Sequence, residues 1–139
     1  MFMRPVQFPA LVLLCTFLSF ISASPRAHAA NGDVIWFYDV GGEINGATAL
    51  SPDGETIYAA SENGMLVALN AQTGTLVWQT NIGAGASSGV LVADDGTLYT
   101  CTYGRHMVAV NPDGTIKWSN RVAGDIYGSS TPAMGLDGT

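Results

Sequence analysis

The sequence predicts an all-β fold built from a four-stranded antiparallel unit recurring about every 42 residues, and three sets of landmarks carry that prediction. Trp36, Trp78 and Trp118 are 42 and 40 residues apart. The pairs Asp53–Gly54, Asp95–Gly96 and Asp137–Gly138 recur at two intervals of 42. A Thr–aliphatic–Tyr triplet follows the first two pairs, at Thr56 to Tyr58 and at Thr97 to Tyr99. Landmarks of three unrelated kinds sharing one period identify an internal repeat.

Within a unit the apolar alternation has a period of two. TIYAAS, MLVALN, TLVWQT, TLYTCT and TIKWSN are short runs rich in β-branched and aromatic residues, bounded by PDGE, SENG, AQTG, ADDG and NPDG. Gly supplies positive φ without steric cost in such turns, while Asp and Asn hydrogen-bond the adjacent backbone. Seventeen glycines, all beyond residue 29, interrupt the chain too often for helices of ordinary length. For the first complete unit the pattern predicts strands at 46–50, 56–61, 65–70 and 75–81. A single sheet of this size cannot cover both of its faces. Sheets stacked around an axis can, and a period of about 40–50 with four strands is that of a propeller blade. A leucine-rich solenoid has a period of about 20–29, and its asparagine ladder is missing here. The predicted fold is a β-propeller of four-stranded antiparallel blades, present as an incomplete fragment of about two and a half blades.

The first residues have a different character. One cation, Arg4, precedes the apolar run ALVLLCTFLSFIS, and ASPRAHAA follows with Ala27-His28-Ala29 as a processing tripeptide. The run is shorter than the roughly 20 residues of a membrane span. This predicts a secretory signal peptide over residues 1–29 and a partial repeat domain over 30–139. The protein is then exported, periplasmic or extracellular, with no transmembrane segment after cleavage. No twin-Arg pair is present, which points to export in the unfolded state. Leu14 stands before Cys15, where a bacterial lipobox carries a small residue. After residue 29 all eleven acidic residues remain, against Arg105, Lys117 and Arg121. With no basic stripe, a nucleic-acid partner is excluded. Cys101 alone remains, so no intramolecular disulfide can form within 30–139.

The phrase ALNAQTGTLVW, Ala68 to Trp78, returns as AVNPDGTIKW, Ala109 to Trp118. These residues resemble the PQQ-like (pyrroloquinoline quinone-like) propeller repeat family, whose tryptophan-docking motif reads Ala-x-Asp-x-x-Thr-Gly-x-x-x-Trp. Ala68, Thr73, Gly74 and Trp78 match it, with Asn70 at the Asp position. The second copy keeps Ala109, Gly114 and Trp118, again with Asn (Asn111), and its turn is one residue shorter. The resemblance covers Gly32 to Thr139. It implies that Trp36, Trp78 and Trp118 are structural docking residues, each reaching across to the next blade.

Asp33 to Val40 has no three strands before it and reads as the outermost strand of a blade completed from elsewhere. STPAMGLDGT stops before its Tyr triplet, so the chain reads as the N-terminal fragment of a longer protein. Candidate chemistry is sparse. Cys101 and His106 lie on adjacent predicted strands and could approach, but two ligands do not make a zinc site. GAGASSG, Gly83 to Gly89, lacks the spacing and the following helix of a phosphate cradle, and reads as a blade-to-blade connection. The Asp–Gly turns lack the ligand spacing of a calcium loop.

Two functions follow from the resemblance. The first is a non-catalytic exported scaffold that binds proteins or cell-envelope components through its loops and needs no cofactor. The alternative is the start of a quinoprotein alcohol or aldose dehydrogenase using PQQ and calcium. Such enzymes carry a vicinal Cys–Cys pair, whereas Thr102 follows Cys101. They also usually carry an extra segment before the first blade, whereas here a blade strand is expected within a few residues of the cleavage site. Both departures favour the scaffold, with no catalytic, cofactor or metal residues expected in this chain.

Overall fold

A computed structural model of the chain describes residues 33–123 and 131–135. The signal region 1–29 and the third Asp–Gly turn, Asp137–Gly138, lie outside the described residues.

Among the described residues eight strands follow one another in a meander. β1 (Ala49–Leu50), β2 (Thr56–Ala60), β3 (Met65–Asn70) and β4 (Leu76–Asn81) form one sheet. β5 (Leu91–Val92), β6 (Leu98–Cys101), β7 (His106–Val110) and β8 (Ile116–Arg121) form a second. Both run in sequential order with antiparallel neighbours, and the described residues contain no helix. Sequential order follows from the short turns, because only adjacent antiparallel strands can be joined by a few residues. The prediction of an all-β fold of four-stranded blades holds.

β1 is three residues shorter than the spacing predicts, and β2 and β4 one residue each. Residues 46–48 do not join β1, because here the chain runs against the next unit. A Cβ on Gly46 would lie 2.3 Å from the Gly89 nitrogen, and Val90 N–H donates to the Ala47 carbonyl at 3.1 Å. Those groups are used between units instead of within a ladder. Asp33–Val40 likewise forms no strand among the described residues. Its Trp36, Tyr38 and Val40 pack on the outer face of the first sheet. An outer strand whose blade is completed from elsewhere has no ladder partner among these residues, and Trp36 meets the first sheet as Trp78 of β4 meets the second.

Alternation along the strands gives each sheet two apolar faces. Tyr58, Ala60, Leu66 and Ala68 of the first sheet meet Leu98, Val108 and Val110 of the second, with Ile82, Ala86 and Val90 of the connection closing the core. The opposite face of the first sheet presents Ala59, Val67 and Leu69, which Trp36, Tyr38 and Val40 cover. Leu66, Leu98, Val108 and Val110 are fully buried. Each such side chain is worth roughly 1.5–3 kcal/mol over exposure, so the junction between the sheets is a principal source of stability.

The meander also sorts the loops. The β1–β2, β3–β4, β5–β6 and β7–β8 turns lie at one end. The β2–β3 and β6–β7 turns share the other end with the β4–β5 connection, where Ile82 N–H donates to the Gly64 carbonyl at 2.9 Å.

Candidate functional site: the indole clasps and the loop end

Each tryptophan phrase is built on a row of side chains across its sheet. Ala49, Tyr58, Ala68 and Trp78 stand opposite one another on successive strands and share one face. Leu91, Tyr99, Ala109 and Trp118 form the equivalent row in the second sheet. The alanine of the phrase lies between two aromatics, and its small size lets the rings meet over it. Ring centroids are 5.9 Å apart for Tyr58–Trp78 and 5.8 Å for Tyr99–Trp118, within the range of favourable aromatic pairs.

Immediately before each tryptophan the ladder slips. Ala68 pairs with Trp78 but Leu69 with Leu76, leaving Val77 unopposed. Ala109 pairs with Trp118 but Val110 with Ile116, leaving Lys117 unopposed. A bulge of this kind bends the strand and re-aims the side chain beside it.

Trp78 then reaches the next unit. Its Nε1–H donates to the Pro112 carbonyl at 2.8 Å. Its ring lies on Gly114, where a Cβ would come within 2.8 Å of the indole. Thr80 of the same strand donates its hydroxyl to the Gly114 carbonyl. Trp36 repeats the contact one unit earlier, donating to the Ala71 carbonyl at 3.1 Å and lying on Gly74, where a Cβ would be 2.5 Å from the ring. Both glycines are buried, with φ of +68° at Gly74 and +87° at Gly114. Positive φ and the flat ring each demand glycine there.

The turns that receive the indoles are held differently. Asn70 Oδ1 accepts from the backbone N–H groups of Gln72 and Thr73 and from the Thr73 hydroxyl, all at 3.0 Å. Only an oxygen is used, so Asn serves where the family carries Asp. In the shorter second turn the acceptor is Asp113, which takes the Thr115 N–H at 2.9 Å and its hydroxyl at 2.6 Å. Asn111 donates its amide to the Thr115 hydroxyl at 2.9 Å. The Thr115 hydroxyl and backbone N–H hold the Asp113 carboxyl below the usual carboxylate range. The Ser51 hydroxyl does the same for Asp53, and Thr97 for Asp95, its N–H foremost. Each carboxylate is engaged by its own turn, and Asp95 also pairs with Lys117 at 3.7 Å.

The structure separates Cys101 from His106. Cys101 stands opposite Met107 in the β6–β7 ladder; His106 is one position out of register and therefore on the other face. Burial raises the Cys101 thiol, further from a reactive thiolate. Gly83 to Gly89 forms the connection from β4 to β5, and Gly85 presses on the Glu62 carbonyl, where a Cβ would sit 2.1 Å away. Among the described residues no three His, Cys, Asp or Glu side chains come together to hold a metal ion.

The loop end carries a cluster the motifs did not flag. Glu62, in the β2–β3 turn, accepts on Oε1 from the Asn45 amide and from the Tyr103 hydroxyl of the next unit, the latter at 3.1 Å. Glu62 N–H donates to the Glu43 carbonyl at 2.8 Å. Asn63 Nδ2 donates to the Val40 carbonyl at 3.0 Å. These residues follow no repeat; the one sequence signal is that Glu62 and Tyr103 occupy corresponding turns.

Comparison with known proteins sets this geometry in a family. A family profile described as outer membrane protein assembly factor BamB matches residues 23–138. The chain belongs to that family. This BamB-like chain is 36% identical over 104 residues to the outer membrane protein assembly factor BamB of Burkholderia pseudomallei, covering 73% of this chain and 26% of that protein. It is 29% identical over 119 residues to the Yersinia pestis protein of the same name, covering 79% and 28%. It therefore spans about a quarter of the length of these relatives. The crystal structure of BamB from Moraxella catarrhalis superposes with a TM-score of 0.58 at 21% identity, over 66% of this chain and 28% of that one. The WD40 repeats of RRP9 reach 0.57 at 10% identity, over 63% and 28%. At such identities the likeness speaks for the fold: the BamB-like chain is part of a β-propeller. No helix among the described residues is long and apolar enough to cross a membrane.

Proposed function

We propose that this chain is part of a non-catalytic exported scaffold that binds proteins during outer-membrane protein assembly, using the loops of its propeller as contact surfaces. The observation that carries the reading is that the residues most suggestive of a ligand platform are already engaged. The Trp36 and Trp78 indole N–H groups end on backbone carbonyls, and the rings lie on glycines of the adjoining unit. What remains for recognition is the loops. The family match and the two relatives named for outer membrane protein assembly support the partner class and an envelope location.

The alternative, a quinoprotein dehydrogenase using PQQ and calcium, is disfavoured because Thr102, not a second cysteine, follows Cys101. The test is site-specific photocrosslinking in cells expressing the full chain, with a photoreactive phenylalanine placed in turn at Ile44, Asn63, Ala84 and Gly104. Crosslinks to envelope proteins are expected. Dye-linked alcohol oxidation by the purified chain with added PQQ and calcium would overturn the reading.

A further inference from the structure

Among the described residues nine large apolar side chains are substantially exposed: Val34, Ile35, Phe37, Ile44, Leu50, Leu76, Val77, Tyr103 and Ile116. Seven of these belong to strands or to the extended segment 33–40, where the architecture itself places apolar residues. Ile44 and Tyr103 do not. They sit on loops at the same end of the two sheets, 42% and 50% exposed. Glu62 links them, binding Tyr103 directly and Ile44 through its two chain neighbours. Ile44 lies between Glu43, whose carbonyl takes the Glu62 N–H, and Asn45, whose amide binds Glu62 Oε1, while the Tyr103 hydroxyl binds the same oxygen.

We propose that Ile44, Tyr103 and Glu62 form a docking patch for a polypeptide segment that sets an arginine or lysine beside apolar residues. The inference rests on the scaffold reading and names the chemistry of its partner. Three features favour this occupant. Glu43 precedes Ile44 and Glu62 binds Asn45 on its other side, and both acids are exposed, which calls for a cation. Tyr103 offers an aromatic face with little side-chain entropy to lose, as the anchors of protein interfaces do. The Glu62 carboxylate is held from two units at once, so it is positioned before a partner arrives. The patch exists only when the sheets are stacked, because Tyr103 comes from the second and Glu62 from the first. Arg105, in the same turn as Tyr103, has a partner of its own.

The test uses the full chain and two fluorescein-labelled peptides, Gly-Leu-Arg-Leu-Arg-Gly and its counterpart with glutamate for arginine, read by fluorescence anisotropy. The basic peptide is expected to bind at least about tenfold more tightly. Tyr103→Ala should weaken it about fivefold or more, and Glu62→Gln about threefold or more, with far-UV circular dichroism unchanged. Gln72→Ala, at the opposite end of the sheet, should bind like the unaltered chain. Equal binding of both peptides, or full binding by well-folded Glu62→Gln and Tyr103→Ala, overturns the proposal. If Tyr103→Ala fails to fold, Glu62→Gln decides. Photocrosslinks at other loops without peptide selectivity would refute the patch and leave the scaffold standing, whereas silence at every loop would refute the scaffold.

Discussion

The Trp78 indole N–H ends on the carbonyl oxygen of Pro112, 34 residues further along the chain and in the next sheet. Trp36 and Ala71 make the same contact at a separation of 35. Since the acceptor is backbone and part of the ring is exposed, the bond itself carries a modest share of the stability. Trp78→Phe should cost about 1 kcal/mol, the net worth of one hydrogen bond. Trp78→Ala should cost about 3 kcal/mol or more, through lost ring packing on Gly114 and Tyr58. Urea titration of the full chain checks both, and equal losses would contradict the account.

Gly54, Gly74 and Gly114 all have positive φ but differ in surroundings. Gly54 (φ +74°) has nothing within 4 Å of an added Cβ, whereas at Gly74 and Gly114 that Cβ meets an indole. Gly54→Ala should therefore lose only the roughly 1–2 kcal/mol of a left-handed backbone. Gly74→Ala and Gly114→Ala should lose at least 1 kcal/mol more, because the ring must move. Comparison of the three urea midpoints isolates the clasp from the turn.

Ala68 is flanked by Tyr58 and Trp78 on one face. Ala68→Leu adds volume where two rings already meet, and such overpacking costs about 1–3 kcal/mol. The near-ultraviolet circular dichroism of the indole should change with it. A variant as stable as the parent, with an unchanged spectrum, would show that the rings do not need the alanine.

Asp53, Asp95 and Asp113 are held below the ordinary carboxylate value by hydrogen bonds within their own turns. A folded pKa lower than the unfolded one stabilises the fold above the unfolded value, about 3.9. That contribution is lost as pH falls through the folded values. The urea midpoint should therefore be nearly flat from pH 7 to 5 and fall below about pH 4. The triple variant Asp53→Asn, Asp95→Asn, Asp113→Asn should fall less steeply there. All three side chains are exposed, so the effect is small and shrinks with added salt.

Much of the fold was legible in the sequence because turn chemistry is local. Residues 65–70 coincide with β3, and 56–61 and 75–81 exceed β2 and β4 by one residue each. Where neighbouring units touch, local pattern was insufficient. It did not show that Gly46 runs against Gly89. The bulges at Val77 and Lys117 were hidden too, because alternation within one strand says nothing about its partner's register. The same limit allowed Cys101 and His106 to look close until the ladder put them on opposite faces. Glu62, Asn45 and Tyr103 come from three separate segments and follow no repeated phrase, so only the assembled sheets bring them together.

The grip between units closes on a main-chain oxygen, supplied by Ala71 in one place and by Pro112 in the other. Every residue type possesses that atom, even proline with its missing N–H. Side chains in the receiving turn are thus at liberty to diverge, and the turn can lose a residue, as it has between the two copies. Modules of this kind can drift apart in identity and still succeed as one another's neighbours.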